Sequence, residues 1–266
     1  NDDSLINPFF LSMLGSITRA SAKKGYDLLV SFQQMSNDWH ADFEDTRKAD
    51  GIILLGYGDY TDYEEKLVQL IKQETHFVRW GADVKGLSVV SVGCDNFNGG
   101  YQVTEHVIKK NRQHFAFLGG VSTGSPEFLD RYTGHCQALK DNNLKVDSNL
   151  QIDAISTDES GYQAAKQLIA KAIKFDAICT ASDLIAIGAM RAIQEAGYNV
   201  PGDVAIVGFD DIATACSTSP ALTTAKQDTV LAGEILVDKL LQLVSGEEAK
   251  TQLMPATLVV RKSCGS

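Results

Sequence analysis

The run Lys174-Phe175-Asp176-Ala177-Ile178-Cys179-Thr180-Ala181-Ser182-Asp183, continued by Leu184 to Ala196 and closed by Val204-Ala205-Ile206-Val207-Gly208-Phe209-Asp210-Asp211, decides the fold. Phe175 to Ala181 and Val204 to Phe209 are short apolar stretches of strand length, and between them Leu184 to Ala196 has helical length and composition. Strands that are apolar throughout, rather than alternating, belong to a sheet covered on both faces. Separation by a helix makes the pair parallel.

The same alternation extends outward. Towards the amino end the pattern predicts strand Leu150 to Ser156 and helix Gly161 to Ile173, preceded by helix Gly100 to Lys110, strand His114 to Leu118 and helix Phe128 to Lys140. Earlier still, Pro8 sits in a first helical turn, with Phe9, Phe10, Met13, Leu14 and Ile17 at helical spacing until Gly25 stops the helix. A strand Asp27 to Phe32, a polar helix His40 to Lys48, a strand Gly51 to Leu55, a helix Tyr63 to Lys72 and strands His76 to Trp80 and Ser88 to Val92 complete the expectation. The class is α/β, doubly wound.

An internal echo divides this series in two. Lys48-Ala49-Asp50-Gly51-Ile52-Ile53 and Lys174-Phe175-Asp176-Ala177-Ile178-Cys179 share one pattern, each opening a strand within a similar order of elements. The second half begins with a strand before its first helix, whereas the first half begins with the helix. The expectation is therefore a strand upstream of Asn1 that belongs to the first sheet.

Lys plus Arg number 24 against 34 Asp plus Glu, a net charge of −10, which repels a phosphate backbone and excludes direct DNA binding by this chain. Hydrophobic residues at 44 % are globular in proportion, and no apolar run approaches the roughly 20 residues of a membrane span. Cys94, Cys136, Cys179, Cys216 and Cys264 are odd in number, far apart and without a CxxC pair, which reads as buried thiols in a reducing, cytoplasmic setting. The opening Asn1-Asp2-Asp3 shows no export signal; a processed signal or an absent upstream piece both remain open.

Enzyme chemistry finds little footing. Gly120-Val121-Ser122-Thr123-Gly124 spells GxSxG after a strand, but the only later histidine is His135, inside the next helix, where it cannot follow an acid in a hydrolase triad. His40, His76, His106, His114 and His135 form no metal-ligand motif, and neither a P-loop nor GxGxxG occurs, so no cofactor is expected. Of the acidic pairs, only Asp210-Asp211 stands at the carboxyl end of an apolar strand, where open α/β sheets bind ligands.

Ser182 to Ile193, Gly197 and Val200-Pro201-Gly202-Asp203-Val204 through Asp211 closely resemble the effector-binding region of the lactose-repressor (LacI/GalR) family of bacterial transcription regulators. Further words stand in the same order: Asn7-Pro8-Phe9-Phe10, Asp95-Asn96 with Gly99-Gly100, Arg131 with Gly134, Pro220-Ala221-Leu222-Thr223-Thr224, and Leu258 to Ser263. The resemblance implies two doubly wound parallel-sheet lobes of the type I periplasmic-binding-protein kind, joined by three crossovers, with a small ligand held in the cleft. It places residues 1–95 and 224–247 in the amino-terminal lobe, and residues 96–223 and 248–266 in the carboxy-terminal lobe. The family's helix-turn-helix, through which such regulators touch DNA, is absent from this sequence.

A sugar presents hydroxyls at its rim and apolar C–H faces, so its site needs bidentate polar groups and flat aromatic surfaces. By resemblance Asp210 accepts ligand hydroxyls and Arg131 grips a ring oxygen and a hydroxyl. Phe9, Phe10 and Trp80 supply ring or wall surface, and Asn7, Ser182 and Asp183 supply polar edges. Plainer roles stand beside these: core packing for Phe9, Phe10 and Trp80, and a helix cap for Asp183. Arg79 departs from the family's acidic or small polar residue, which leaves either an anionic ligand or a pairing with a nearby carboxylate. The expected function is sugar sensing by a homodimeric repressor-type regulator, with an exported sugar-binding protein of a transport system as the alternative.

Overall fold

The computed structural model describes residues 7–32, 37–56, 60–83, 86–122 and 124–265. The chain divides into two compact units, residues 1–94 with 228–254 and residues 95–227 with 255–266, so it passes between them after Cys94, Gln227 and Met254.

In the first unit, helix α1 (Pro8–Lys23) begins where Asn7 accepts a hydrogen bond from the Phe9 amide and Pro8 fills the first turn. Strand β1 (Ile52–Leu54), helix α2 (Tyr60–Lys72), strands β2 (Phe77–Trp80) and β3 (Val90–Cys94), helix α7 (Thr229–Val244) and strand β9 (Gln252–Met254) follow. The sheet is parallel throughout, in the order β1-β2-β3-β9. Helices α1 and α7 pack together, while α2 closes a core of Trp39, Leu54, Tyr63, Leu67, Leu70, Phe77 and Val89.

The second unit holds α3 (Asn96–Ile108), β4 (Phe115–Leu118), α4 (Pro126–Asp141), β5 (Gln151–Ile152), α5 (Asp158–Ala170), β6 (Ala177–Thr180), α6 (Asp183–Glu195), β7 (Ala205–Asp210), β8 (Thr223–Lys226) and β10 (Thr257–Val259). Its sheet runs β10-β8-β7-β6-β4-β5, parallel except where β10 meets β8. Strands β4, β6 and β7 are buried along their whole length, the burial that an apolar, non-alternating sequence requires.

Several expectations need correction. Asp27 to Phe32 forms no strand, and Leu29, Val30 and Phe32 are exposed. Apolar residues of strand composition become a strand only when the backbone finds a ladder, and among the described residues no strand pairs with this segment. The polar helix at 40–48 is a π-helical turn, Ala41–Asp45, and the strand at 150–156 shrinks to β5. Residues 224–227 lie in the second unit because β8 completes its sheet, and residues 248–254 lie in the first because β9 pairs with β3.

Close helix crossings in the second unit depend on glycine. A Cβ on Gly134 would collide with the backbone of Phe97 where α4 crosses α3, and one on Gly188 with the backbone of Asp158 where α6 crosses α5. Gly134→Ala is accordingly expected to lower stability by about 1–3 kcal/mol, the usual range for overpacking, in a denaturant titration. Alanine at Gly15, whose position is open, should cost nothing there.

Candidate functional site

Strand β7 ends in a sharp turn: Asp210 and Asp211 both have positive φ, +119° and +58°. Non-glycine residues rarely adopt such angles, and they persist where surrounding contacts over-determine them. Asp211 is fixed by an ion pair with Arg261 Nη2 at 2.6 Å, while Arg261 Nη1 donates to the Leu222 carbonyl. The turn points the other carboxylate, Asp210, at helix α4. There Arg131 Nη1 lies 3.5 Å from Asp210 Oδ1, with both side chains buried.

Each partner is held from outside the pair. Arg131 Nε donates to Asn96 Oδ1 at 2.8 Å, and Nη1 donates to the Ala181 carbonyl at the end of β6. The guanidinium lies 3.8 Å above the Phe209 ring, a cation–π contact in a dry setting. Asp210 Oδ1 accepts from Gln227 Nε2 at 2.7 Å. Burial pushes the Asp210 carboxyl up to about 6, against the opposite pull of Arg131 and Gln227.

Beneath this pair stands a second carboxylate. Asp183 opens α6 and is fully buried; Oδ2 accepts from the Ile212 amide at 2.9 Å and Oδ1 accepts from Thr224 Oγ1 at 2.5 Å. Burial first, and then the Asp210 charge, raise its pKa well above the usual carboxylate range, with the Thr224 and Ile212 hydrogen bonds pulling the other way. Gly208 is glycine for this reason: a Cβ there would collide with the Asp183 carboxylate. Ser182 caps α6, accepting from the Ile185 amide and, at 2.9 Å, from Ser156 Oγ. These contacts tie Ser182 and Asp183 to neighbouring elements, and the cap of the helix is Ser182 rather than Asp183.

In the first unit the other predicted residues form an aromatic group. Phe9 and Phe10 meet edge to face at 5.3 Å, and Phe9 lies 5.9 Å from Trp80, which is buried at the end of β2. Asn7 caps α1 with its side-chain oxygen, and Phe10 is partly exposed. Arg79 is fully buried, donates to the Ala82 carbonyl and lies 5.5 Å from the Tyr63 ring, a position inside the unit rather than on its surface.

Sequence reasoning missed Asn96, Phe209, Thr224, Gln227 and Arg261, although all but Gln227 lie within words that carried the resemblance. The structure gives those words physical content. Ser263 Oγ donates to the Ile206 carbonyl and accepts from the Thr223 amide, tying the chain end to β7 and β8. Gly99 leaves room for the Phe209 ring, and Gly100 for the backbone of Arg131.

The loop carrying Ser122 precedes α4, and Thr123 lies outside the described residues. His135 is buried against Thr104 Oγ1 and lowered by burial to about 3, so it is neutral at pH 7. Cys94, Cys179 and Cys264 are buried as expected, whereas Cys136 is partly exposed and Cys216 exposed. Among the described residues no group of three or more His, Cys, Asp or Glu could hold a metal ion, and no helix is long and apolar enough to cross a membrane.

Removing one member of a buried ion pair strands the other, so Arg131→Met is expected to cost about 3–5 kcal/mol at pH 8. The loss should be smaller at pH 5. Asp210 already has a folded-state pKa above the ordinary 3.8, so its contribution to stability is present below that value and declines as pH rises through about 6. Without Arg131 that decline moves to higher pH, and protonation relieves the stranded carboxylate in acid. Equal losses at both pH values, measured by denaturant titration, would contradict the ionised pair.

The sequence profile of the periplasmic binding protein-like domain matches residues 104–264. The HTH-type transcriptional regulator MalR of Clostridium butyricum is 29% identical over 269 residues, covering 98% of this chain and 79% of that protein. Among solved structures, a transcriptional regulator CelR–cellobiose complex is similar with a TM-score of 0.89 at 26% identity, over 99% of this chain and 81% of the other. A regulatory protein of LacI family from Chloroflexus aggregans has a TM-score of 0.85 at 27% identity, over 95% of this chain and 91% of the other. These relatives are regulators, which disfavours the transport reading. The chain belongs to the periplasmic binding protein-like domain family and corresponds to the effector-binding domain of LacI-family transcriptional regulators.

Proposed function

We propose that the effector is a neutral saccharide, anchored in the second unit by Arg131 and Asp210. The observation that carries this reading is the buried Arg131–Asp210 pair beside the carboxyl ends of β6 and β7. A carboxylate that accepts and a guanidinium that donates, side by side, can together satisfy the paired donors and acceptors of vicinal hydroxyls. Asp183, sealed beneath, positions the strand ends. The burial of Arg79 inside the first unit favours a neutral over an anionic guest. The similar regulator solved with cellobiose supports a sugar as the ligand class.

The regulator acts in the cytoplasm as a homodimer, since two headpieces on two operator half-sites demand two-fold symmetry, and it carries no catalytic activity. Saccharide binding shifts its conformational equilibrium, and with it operator affinity, by about 1–3 kcal/mol, the usual size of allosteric coupling.

A thermal-shift survey of mono- and disaccharides, cellobiose included, tests the ligand class. A ligand at 100 times its Kd adds about 2.7 kcal/mol of stability and raises Tm measurably. Asp210→Ala and Arg131→Ala should each weaken binding of the responding sugar by about 1.5–3 kcal/mol in calorimetric titration, as expected for hydrogen bonds to charged groups. A survey in which no saccharide raises Tm would overturn the ligand assignment. Sedimentation as a monomer at micromolar concentration would overturn the dimer.

A further inference from the structure

The groups that hold Arg131 and Asp210 sit beside the points where the chain leaves or enters the second unit. Asn96, which accepts from Arg131 Nε, opens α3 two residues beyond Cys94, the last residue before the first crossing. Gln227, which donates to Asp210 Oδ1, is the last residue before the second crossing, and its backbone amide faces the Asp210 carbonyl at 3.4 Å. The next residue, Asp228, caps α7 by accepting from the Val230 and Leu231 amides. The Phe209 ring beneath Arg131 fills the space beside Gly99, which also adjoins Ala256, just past the third crossing.

We infer that Asn96 and Gln227 are positioning residues that fasten the Arg131–Asp210 pair to the chain crossings at 94–95 and 227–228, so that a change of charge or partner at the pair is passed directly to those linkers. Both side chains are buried, at 3 % and 5 % exposure, so neither can exchange its partner for water without moving. When Asp210 loses its charge, or turns its oxygen to a guest hydroxyl, the Gln227 amide loses its strong acceptor. It then follows the carboxylate or swings out, and in either case the peptide link to Asp228 moves with it. A buried amide hydrogen-bonded to a carboxylate therefore converts a local electrostatic event into backbone displacement. Only the physiological trigger, an effector at Asp210, rests on the proposed function; the linkage itself can be driven by a proton.

The proton is thus the probe. Groups facing Asp210 are Arg131 from α4, Asp183 from α6, Lys226 at the paired position of β8, and the adjoining Asp211 with its partner Arg261. The Asp210 carboxyl is followed by carbon-13 NMR in the whole protein, its resonance assigned by its loss in Asp210→Asn. Hydrogen exchange at residues 92–98 and 225–232 is measured on either side of the titration midpoint and corrected for intrinsic rates.

Protection at 228–231 should fall as Asp210 protonates. In Gln227→Met the midpoint should rise by about one pH unit, as expected when a hydrogen bond to a charged group is lost, and protection at 228–231 should no longer follow it. In Asn96→Ala the corresponding loss of coupling should appear at 92–98. Exchange at both linkers that ignores the Asp210 titration in the unaltered protein would overturn the inference, whether or not the variants fold. So would a Gln227→Met midpoint that stays in place. Neither readout uses a sugar, so failure of the saccharide survey would leave this result standing.

Discussion

A buried guanidinium facing a buried carboxylate is tolerable only if every remaining hydrogen-bonding group around it is satisfied, and much of the second unit is organised by that requirement. Asn96 accepts from Arg131 Nε and the Ala181 carbonyl from Nη1, the Phe209 ring supports the guanidinium face, and Gln227 donates to an oxygen of Asp210. Hence α3, α4, β6, β7 and the end of β8 are pinned to one spot. The positive φ at Asp210 and Asp211 is the local cost of aiming the carboxylate there, and the Arg261–Asp211 ion pair helps to hold it.

The layer beneath shows how a second, fully buried carboxylate is accommodated. Asp183 bonds the Ile212 amide and the Thr224 hydroxyl, which joins α6 to the turn after β7 and to β8. Its charge near the start of α6 is favoured by the helix dipole and disfavoured by burial and by Asp210. Gly208 is the accommodation on the strand side. The result is a hydrogen-bonded polar layer beside the Arg131–Asp210 pair that ties α6, β8 and the turn after β7 together.

Legibility of the site in the sequence followed the nature of each residue's task. Asp210 could be singled out because a carboxylate directly after a fully apolar strand has few structural uses. Arg131 needed the resemblance, since an arginine in an amphipathic helix is otherwise a surface residue. Gln227 and Asn96 were not identified as functional because an amide side chain carries no periodicity, charge or spacing signal; its partners lie 17 and 35 residues away in sequence. The error at Asp27 to Phe32 has a similar origin: composition reports that a segment could join a sheet, not that a neighbouring strand is there to receive it.

What the sequence by itself determined is the class of fold, because unbroken apolar runs alternating with helices have one economical burial, a parallel sheet covered on both sides. It also determined the excess of negative charge. Only the tertiary structure decided which polar residues face one another. Which groups Asp183 bonds, whether Arg79 is exposed or enclosed, and which amides hold Arg131 and Asp210 all depend on contacts between distant segments. Such contacts are made by close packing in three dimensions, and they leave no local pattern along the chain.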